Sequence, residues 1–161
     1  MACVFLIGMP GSGKSTLARH FNGRDMDDII RLRDLVRARL SPDAFYDAES
    51  ERILEYLEKH PTVGVYATGG SVVHRSATMK AIRKKARGAV VWLYAPLDAL
   101  RGRLGNLQDR GVMFPDGIDT LDALHAYREP LYRKFSDYTI DTVNKSVEEC
   151  RREVEIILRS L

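Results

Sequence analysis

The sequence predicts an α/β protein, a parallel sheet wrapped by helices on both faces, and three observations predict it. Short apolar runs, Cys3-Val4-Phe5-Leu6-Ile7 and Ala89-Val90-Val91-Trp92-Leu93-Tyr94, have the length and β-branched content of buried strands. Segments whose apolar residues recur at the helical period lie between such runs. The first run leads into Gly8-Met9-Pro10-Gly11-Ser12-Gly13-Lys14-Ser15-Thr16, which fits the phosphate-binding pattern GxxxxGK(S/T) in full, and Leu17-Ala18-Arg19 follows as a helix start. Strands alternating with helices imply parallel pairing, and ligands of such sheets gather at the carboxyl ends of the strands.

Taken in order, the first helix is short, because Asn22-Gly23 interrupts it soon after Phe21. Ile29, Leu32, Val36 and Leu40 recur at helical spacing and predict one helix over residues 28–40. Ser41-Pro42 supplies an N-cap and a proline at the first position of the next helix, which buries Phe45, Ile53, Leu54 and Leu57 and stops at His60-Pro61. Val63-Gly64-Val65-Tyr66-Ala67 reads as a buried strand running into Thr68-Gly69-Gly70-Ser71, a turn free to approach a ligand closely. A basic helix over 75–87, the strand ending at Tyr94, and a helix over 96–107 with Leu97, Leu100 and Leu104 on one side come next. Residues 108–117 hold glycines and a proline without a sustained period, as in mobile loops that close over active sites as lids. A helix over 120–135, a strand Tyr138-Thr139-Ile140 and a last helix complete the chain. Ser146 and Glu149 form a capping box for that helix, and Val147, Cys150, Val154, Leu158 and Leu161 form its apolar face.

At 161 residues the chain suits one domain, 1–161, with a core that needs neither disulfide nor metal. Its net charge of +3 is spread along the sequence, which favours a solvated surface with a few anion-binding residues over a nucleic-acid partner. Cys3 and Cys150 read as reduced core thiols, and His20, His60, His74 and His125 show no metal spacing, so no zinc site is assigned. No apolar run is long enough to cross a bilayer, and the first is too short for a signal-peptide core. A cytoplasmic monomer acting on a small molecule, without nucleic acid or membrane, is expected.

The glycines of the phosphate loop let successive N–H groups turn inward around an anion. Lys14 adds a charge that can follow a phosphoryl group in transfer, and the Ser15 hydroxyl can ligate Mg²⁺. In an extended segment Asp25 and Asp27 point the same way, so one can hold Mg²⁺ through water and the other accept a hydroxyl proton; an acidic helix cap is the alternative. Arg110, in the lid segment, is either a solvated loop residue or a side chain that covers the phosphates. Arg128 falls four residues after Leu124 and three before Leu131, on the face of its helix that should be buried, so it needs an anionic partner: a structural carboxylate or one on a substrate.

In combination these features resemble the shikimate kinase family. Gly8 to Thr16 match its phosphate loop, Asp25-Met26-Asp27 its acidic pair, and Ala67-Thr68-Gly69-Gly70-Ser71-Val72 its glycine-rich substrate loop. Arg110 is similar to the lid arginine, and Arg128-Glu129-Pro130-Leu131-Tyr132 to the family's R-x-P-L-Y segment. The resemblance implies a three-layer α/β/α P-loop kinase fold with a central five-stranded parallel sheet, acceptor-binding helices over about 28–59, a lid over about 108–117, and phosphorylation of the shikimate 3-hydroxyl by ATP with Mg²⁺. It further implies that Gly11, Ser12, Gly13, Lys14, Ser15, Thr16 and Arg110 hold ATP and that Ser15 and Asp25 organise Mg²⁺. Asp27 would be the base, with Lys14 and Arg110 stabilising charge, and Gly69, Gly70 and Arg128 would hold the acceptor. The sequence departs from the family in carrying Tyr46 where the family has an arginine and Ser71 where it has a third glycine, and in shorter spacings from Lys14 to Asp25 and from Asp27 to Phe45. Those departures motivate two alternatives: a same-fold kinase for another small hydroxy acid, and a non-catalytic nucleotide-binding protein.

Overall fold

In the computed structural model five parallel strands stand in the order β2-β3-β1-β4-β5. They are β1 (Cys3–Ile7), β2 (Arg24–Asp25), β3 (Gly64–Ala67), β4 (Ala89–Tyr94) and β5 (Tyr138–Asp141). The structure describes residues 2–62, 64–85, 89–105, 107 and 110–161. Val63 of the strand predicted over 63–67, Ala86 and Arg87 of the predicted basic helix, Asn106 of the helix predicted over 96–107, and Gln108 and Asp109 of the predicted lid lie outside them. Central β1 pairs β3 on one side, with Phe5 opposite Tyr66, and β4 on the other, with Phe5 opposite Val90.

Alternation along β1 builds two cores. Cys3, Phe5 and Ile7 face α4 (Pro42–Lys59), α5 (Ser76–Lys85), α6 (Leu97–Arg103) and α7 (Leu121–Phe135) through Ile53, Met79, Leu100 and Tyr132. Val4 and Leu6 face α1 (Lys14–Arg19) and α8 (Val147–Ser160) through Leu17, Cys150 and Val154. Both cysteines are buried and free, as expected. Leu35, Phe45 and Tyr46 close a third, smaller cluster beneath Met113.

Several expected boundaries are met: Ser41 caps α4 with Pro42 at its start, Thr120 caps α7, and the Ser146–Glu149 capping box opens α8. Others are corrected. Residues 28–40 are two short helices, α2 (Met26–Ile29) and α3 (Leu32–Arg37), separated at Arg31, whose φ is 54°. The break is held from outside, because Arg52 donates at 2.8 Å to the carbonyl of Ile30, which a continuous helix would have bonded internally, and at 3.2 Å to that of Arg31, which also accepts from the Asp34 N–H. α5 begins at Ser76, not Arg75, and α6 ends at Arg103 rather than Leu107, because Leu104 turns extended as its side chain enters the core. On α8 Cys150 and Val154 are buried and Leu158 packs partly buried against them, as expected; Ile157 is buried as well, and Val147 and Leu161, at the two ends of the helix, are each 49 % exposed.

Candidate active site

The carboxyl ends of β1 and β3 carry the phosphate loop and the glycine turn, and these meet Asp27, just beyond β2, in one crevice of about 350 Å³. Gly11, Gly13, Lys14, Ser15, Thr16, Asp27, Gly69, Gly70, Arg110 and Arg128 all line it. Ser12 faces instead an adjoining cavity of about 360 Å³ on the other side of the loop, walled by Arg103, Thr142 and Lys145. Asp25 lines a third opening with Ser15, Asp27 and Arg110.

Gly11 and Gly13 have φ of 78° and 95°, the left-handed geometry that turns loop N–H groups inward before α1. Lys14 is buried and folds back on its own loop, donating to the carbonyls of Gly8 at 2.8 Å and Met9 at 2.9 Å. Burial pushes its ammonium down to about 8 against the opposing pull of Asp27.

The two aspartates do not share an extended segment. Asp25 ends β2 and caps α2, accepting from the Asp27 N–H at 3.0 Å, while its other oxygen accepts from Ser15 Oγ at 2.5 Å. The cap is therefore present, and it leaves the Asp27 carboxylate free. Among the described residues the buried side-chain polar atoms without a hydrogen bond are Ser12 Oγ and Asp27 Oδ1, both beside the phosphate loop. Burial, with the charge of Asp25 second, raises Asp27 to about 6.

Arg128 is 1 % exposed, as its place on α7 predicts. Its Nε donates to His74 Nε2 at 2.9 Å and its Nη2 to the Met113 carbonyl at 3.2 Å; among the described residues none of its hydrogen-bond partners is a carboxylate. One turn further along α7, Tyr132 donates to the Gly70 carbonyl at 2.6 Å and pins the glycine turn. Arg110 is exposed and donates to the Arg103 carbonyl at 3.2 Å.

Three site residues were not assigned from sequence. Glu49 is 2 % exposed and accepts from Ser71 Oγ at 2.6 Å, so Ser71 has a definite task where the family has glycine. His74 closes a 3₁₀ turn (Val72–His74) directly after the glycines and bonds Arg128; desolvation, then the charges of Arg128 and Arg75, hold its imidazole down to about 3. Tyr46 donates to the Met113 carbonyl at 2.9 Å and stacks on His74. Of the three, Tyr46 carried a sequence signal, standing where the family has an arginine.

Gly69 separates the buried Glu49 from the half-buried Asp27. A Cβ there would stand 2.6 Å from Asp27 Oδ1 and 3.1 Å from Glu49 Oε1. Gly69→Ala should therefore displace the Asp27 carboxylate and lower kcat by about 100-fold or more, the cost of misplacing a reacting group by an ångström. Steady-state kinetics alongside a thermal melt would separate that loss from unfolding.

Burial also raises Glu49 to about 7, against the donated bond from Ser71. With both acids above their ordinary values of 4.5 and 3.8, these two groups bind more protons in the native state than in the unfolded chain between about pH 4 and pH 7, whereas His74, held down to about 3, binds fewer below its ordinary 6.5 and opposes them. The contribution of Glu49 to stability should therefore fall as pH rises from about 4.5 to about 7. The Tm of Glu49→Gln relative to the wild type should rise across that window; a difference that does not change with pH would refute the assignment.

A family model described as shikimate kinase matches residues 10–158. The shikimate kinase of Paracidovorax citrulli is 36 % identical over 149 residues, covering 85 % of this chain and 80 % of that protein. The shikimate kinase of Caldanaerobacter subterraneus subsp. tengcongensis is 30 % identical over 168 residues, covering 96 % and 94 %. Among solved structures, shikimate kinase from Acinetobacter baumannii in complex with shikimate superposes with a TM-score of 0.71 at 22 % identity, covering 99 % of this chain and 94 % of that one, a likeness of fold.

Proposed function

The chain belongs to the shikimate kinase family, and we propose that it transfers the γ-phosphoryl group of ATP to the 3-hydroxyl of shikimate in the crevice at the phosphate loop. The observation that carries the assignment is the pairing, across Gly69-Gly70, of a buried guanidinium that has no carboxylate partner among the described residues with a buried carboxylate oxygen that has no donor. Arg128 takes the acceptor's carboxylate and Asp27 faces its hydroxyl. The hydroxyl proton moves to Asp27 as the acceptor oxygen forms its bond to phosphorus, and the bond to the β-phosphate oxygen breaks with its electron pair leaving on ADP. Lys14 releases the carbonyls of Gly8 and Met9 to meet the phosphates, and Arg110 swings from the Arg103 carbonyl to cover them. The cavity beyond the loop, between Gly11, Thr16, Arg103 and Thr142, takes the nucleoside.

Ser15 and Asp25, hydrogen-bonded to each other beside the phosphate loop, are hard oxygen donors that would hold a magnesium ion arriving with the nucleotide, and the ion would supply positive charge against the phosphates. Among the described residues no helix is long and apolar enough to cross a membrane.

Shikimate-dependent ADP release from Mg-ATP tests the reading. Turnover is expected; none at saturating shikimate, together with turnover on a related hydroxy acid, would overturn it. Tyr46 favours that second acceptor class, because its hydroxyl is committed to Met113 and offers no charge to a carboxylate.

A further inference from the structure

We propose that His74 is a positioning residue for the acceptor: clamped between two tyrosines, it fixes the Arg128 guanidinium without neutralising it, so that Nη1 meets the carboxylate of the hydroxy acid. The inference rests on the acceptor assignment above.

The geometry is specific to a neutral acceptor. Arginine only donates, so the 2.9 Å bond from its Nε makes His74 Nε2 the acceptor and puts the imidazole proton on Nδ1. The ring has little freedom to turn, being stacked on Tyr46 at 4.1 Å and 13° and on Tyr127 at 5.4 Å and 19°. Tyr46 is itself tethered through its hydroxyl to the Met113 carbonyl, the same oxygen that accepts from Arg128 Nη2. The guanidinium is thus held through two of its three nitrogens by uncharged acceptors, with the hydroxyls of Tyr46 and Tyr132 also against it. Its third, Nη1, stands 3.0 Å from where a Cβ on Gly70 would lie, at the crevice wall.

A buried arginine is more often held by a carboxylate, but here that partner would cancel the charge and compete with the acceptor's own carboxylate. Imidazole and carbonyl orient the fork without bonding a carboxylate to it, and the buried acid that feels its charge, Glu49, is turned instead to Ser71 Oγ. Tyr46, bearing no charge, works to the same end by packing His74 in place.

The test compares shikimate with its methyl ester, which lacks the charge. His74→Phe preserves the stack and removes the acceptor; it should raise the KM for shikimate roughly 10- to 100-fold, as expected when a charged donor loses its partner. Values of kcat and of KM for ATP should stay near wild type, as should the rate on the ester. His74→Gln, whose amide oxygen can accept, should recover most of the preference for acid over ester. Tyr127→Ala, an exposed change that opens one side of the stack, should shift that preference the same way by a smaller factor, and it carries the test if His74→Phe does not fold. An unchanged acid-to-ester preference in the folded variants overturns the proposal, as does a Gln variant no better than Phe. Wild-type enzyme without turnover on shikimate overturns instead the acceptor assignment beneath it.

Discussion

Asp27→Asn should be an enzyme that folds, binds Mg-ATP and scarcely turns over, with kcat reduced by about 10²- to 10⁴-fold, the usual contribution of a positioned general base. The substitution is nearly isosteric, and the backbone bond by which Asp25 caps α2 is made to the N–H of residue 27, which asparagine retains. What changes is the charge. Ionised Asp27 lies half-buried beside Asp25 with one buried oxygen lacking a donor, an arrangement that costs the native state stability above about pH 6. Asparagine removes that cost, so at neutral pH the variant should melt at the same temperature as the wild type or higher. Loss of rate coupled to no loss of Tm marks a group kept for chemistry. A parallel fall in Tm and kcat would instead mark Asp27 as structural, and ADP release with differential scanning calorimetry on the same sample distinguishes the two.

The parts of this site that could be read in the sequence are those whose chemistry is local. The phosphate loop is a contiguous pattern, and its function follows from backbone conformation within nine residues. Arg128 was legible for a related reason: a charge on the apolar stripe of a helix is anomalous wherever the helix goes. The break at Arg31 was not, because the donor that stabilises it, Arg52, comes from another helix, and a periodicity that counts Ile29, Leu32 and Val36 has no access to a tertiary hydrogen bond. His74 was hidden in the same way. As a lone histidine it carried no metal spacing, and its role exists only because α7 brings Arg128, and α4 brings Tyr46, to the turn after β3. The aspartate pair was half legible: residue types and spacing announced two carboxylates near phosphate, but the extended geometry assumed for them fails because the first caps a helix containing the second. That division of labour frees Asp27 more completely than parallel exposure would have done.

Arg128→Met should be the most damaging change on the acceptor side, raising the KM for shikimate by about 100-fold or more while leaving the KM for ATP near wild type. The estimate follows from a charge-assisted bond worth about 1.5–3 kcal/mol, lost here together with the charge itself. Methionine roughly fills the volume of the arginine stem, so the packing of α7 beside Leu124 and Tyr132 is preserved. The Met113 carbonyl keeps its bond from Tyr46, and His74 Nε2 loses its donor. Replacing a buried charge with an apolar side chain is often neutral for stability, so Tm should move little. Arg128→Lys tells charge from shape. Lysine restores one positive centre but cannot donate to His74 and Met113 while presenting a further nitrogen to the crevice, so it should rescue only part of the affinity. Lysine as good as arginine would mean that the site senses charge alone and that the fixed guanidinium plane is irrelevant. A Met variant with wild-type KM would move the acceptor's carboxylate to another cation of the crevice and leave Arg128 a core residue; on the present geometry, with Nη1 at the wall beside Gly70 and no internal carboxylate bonding it among the described residues, the rise in KM is the expected result.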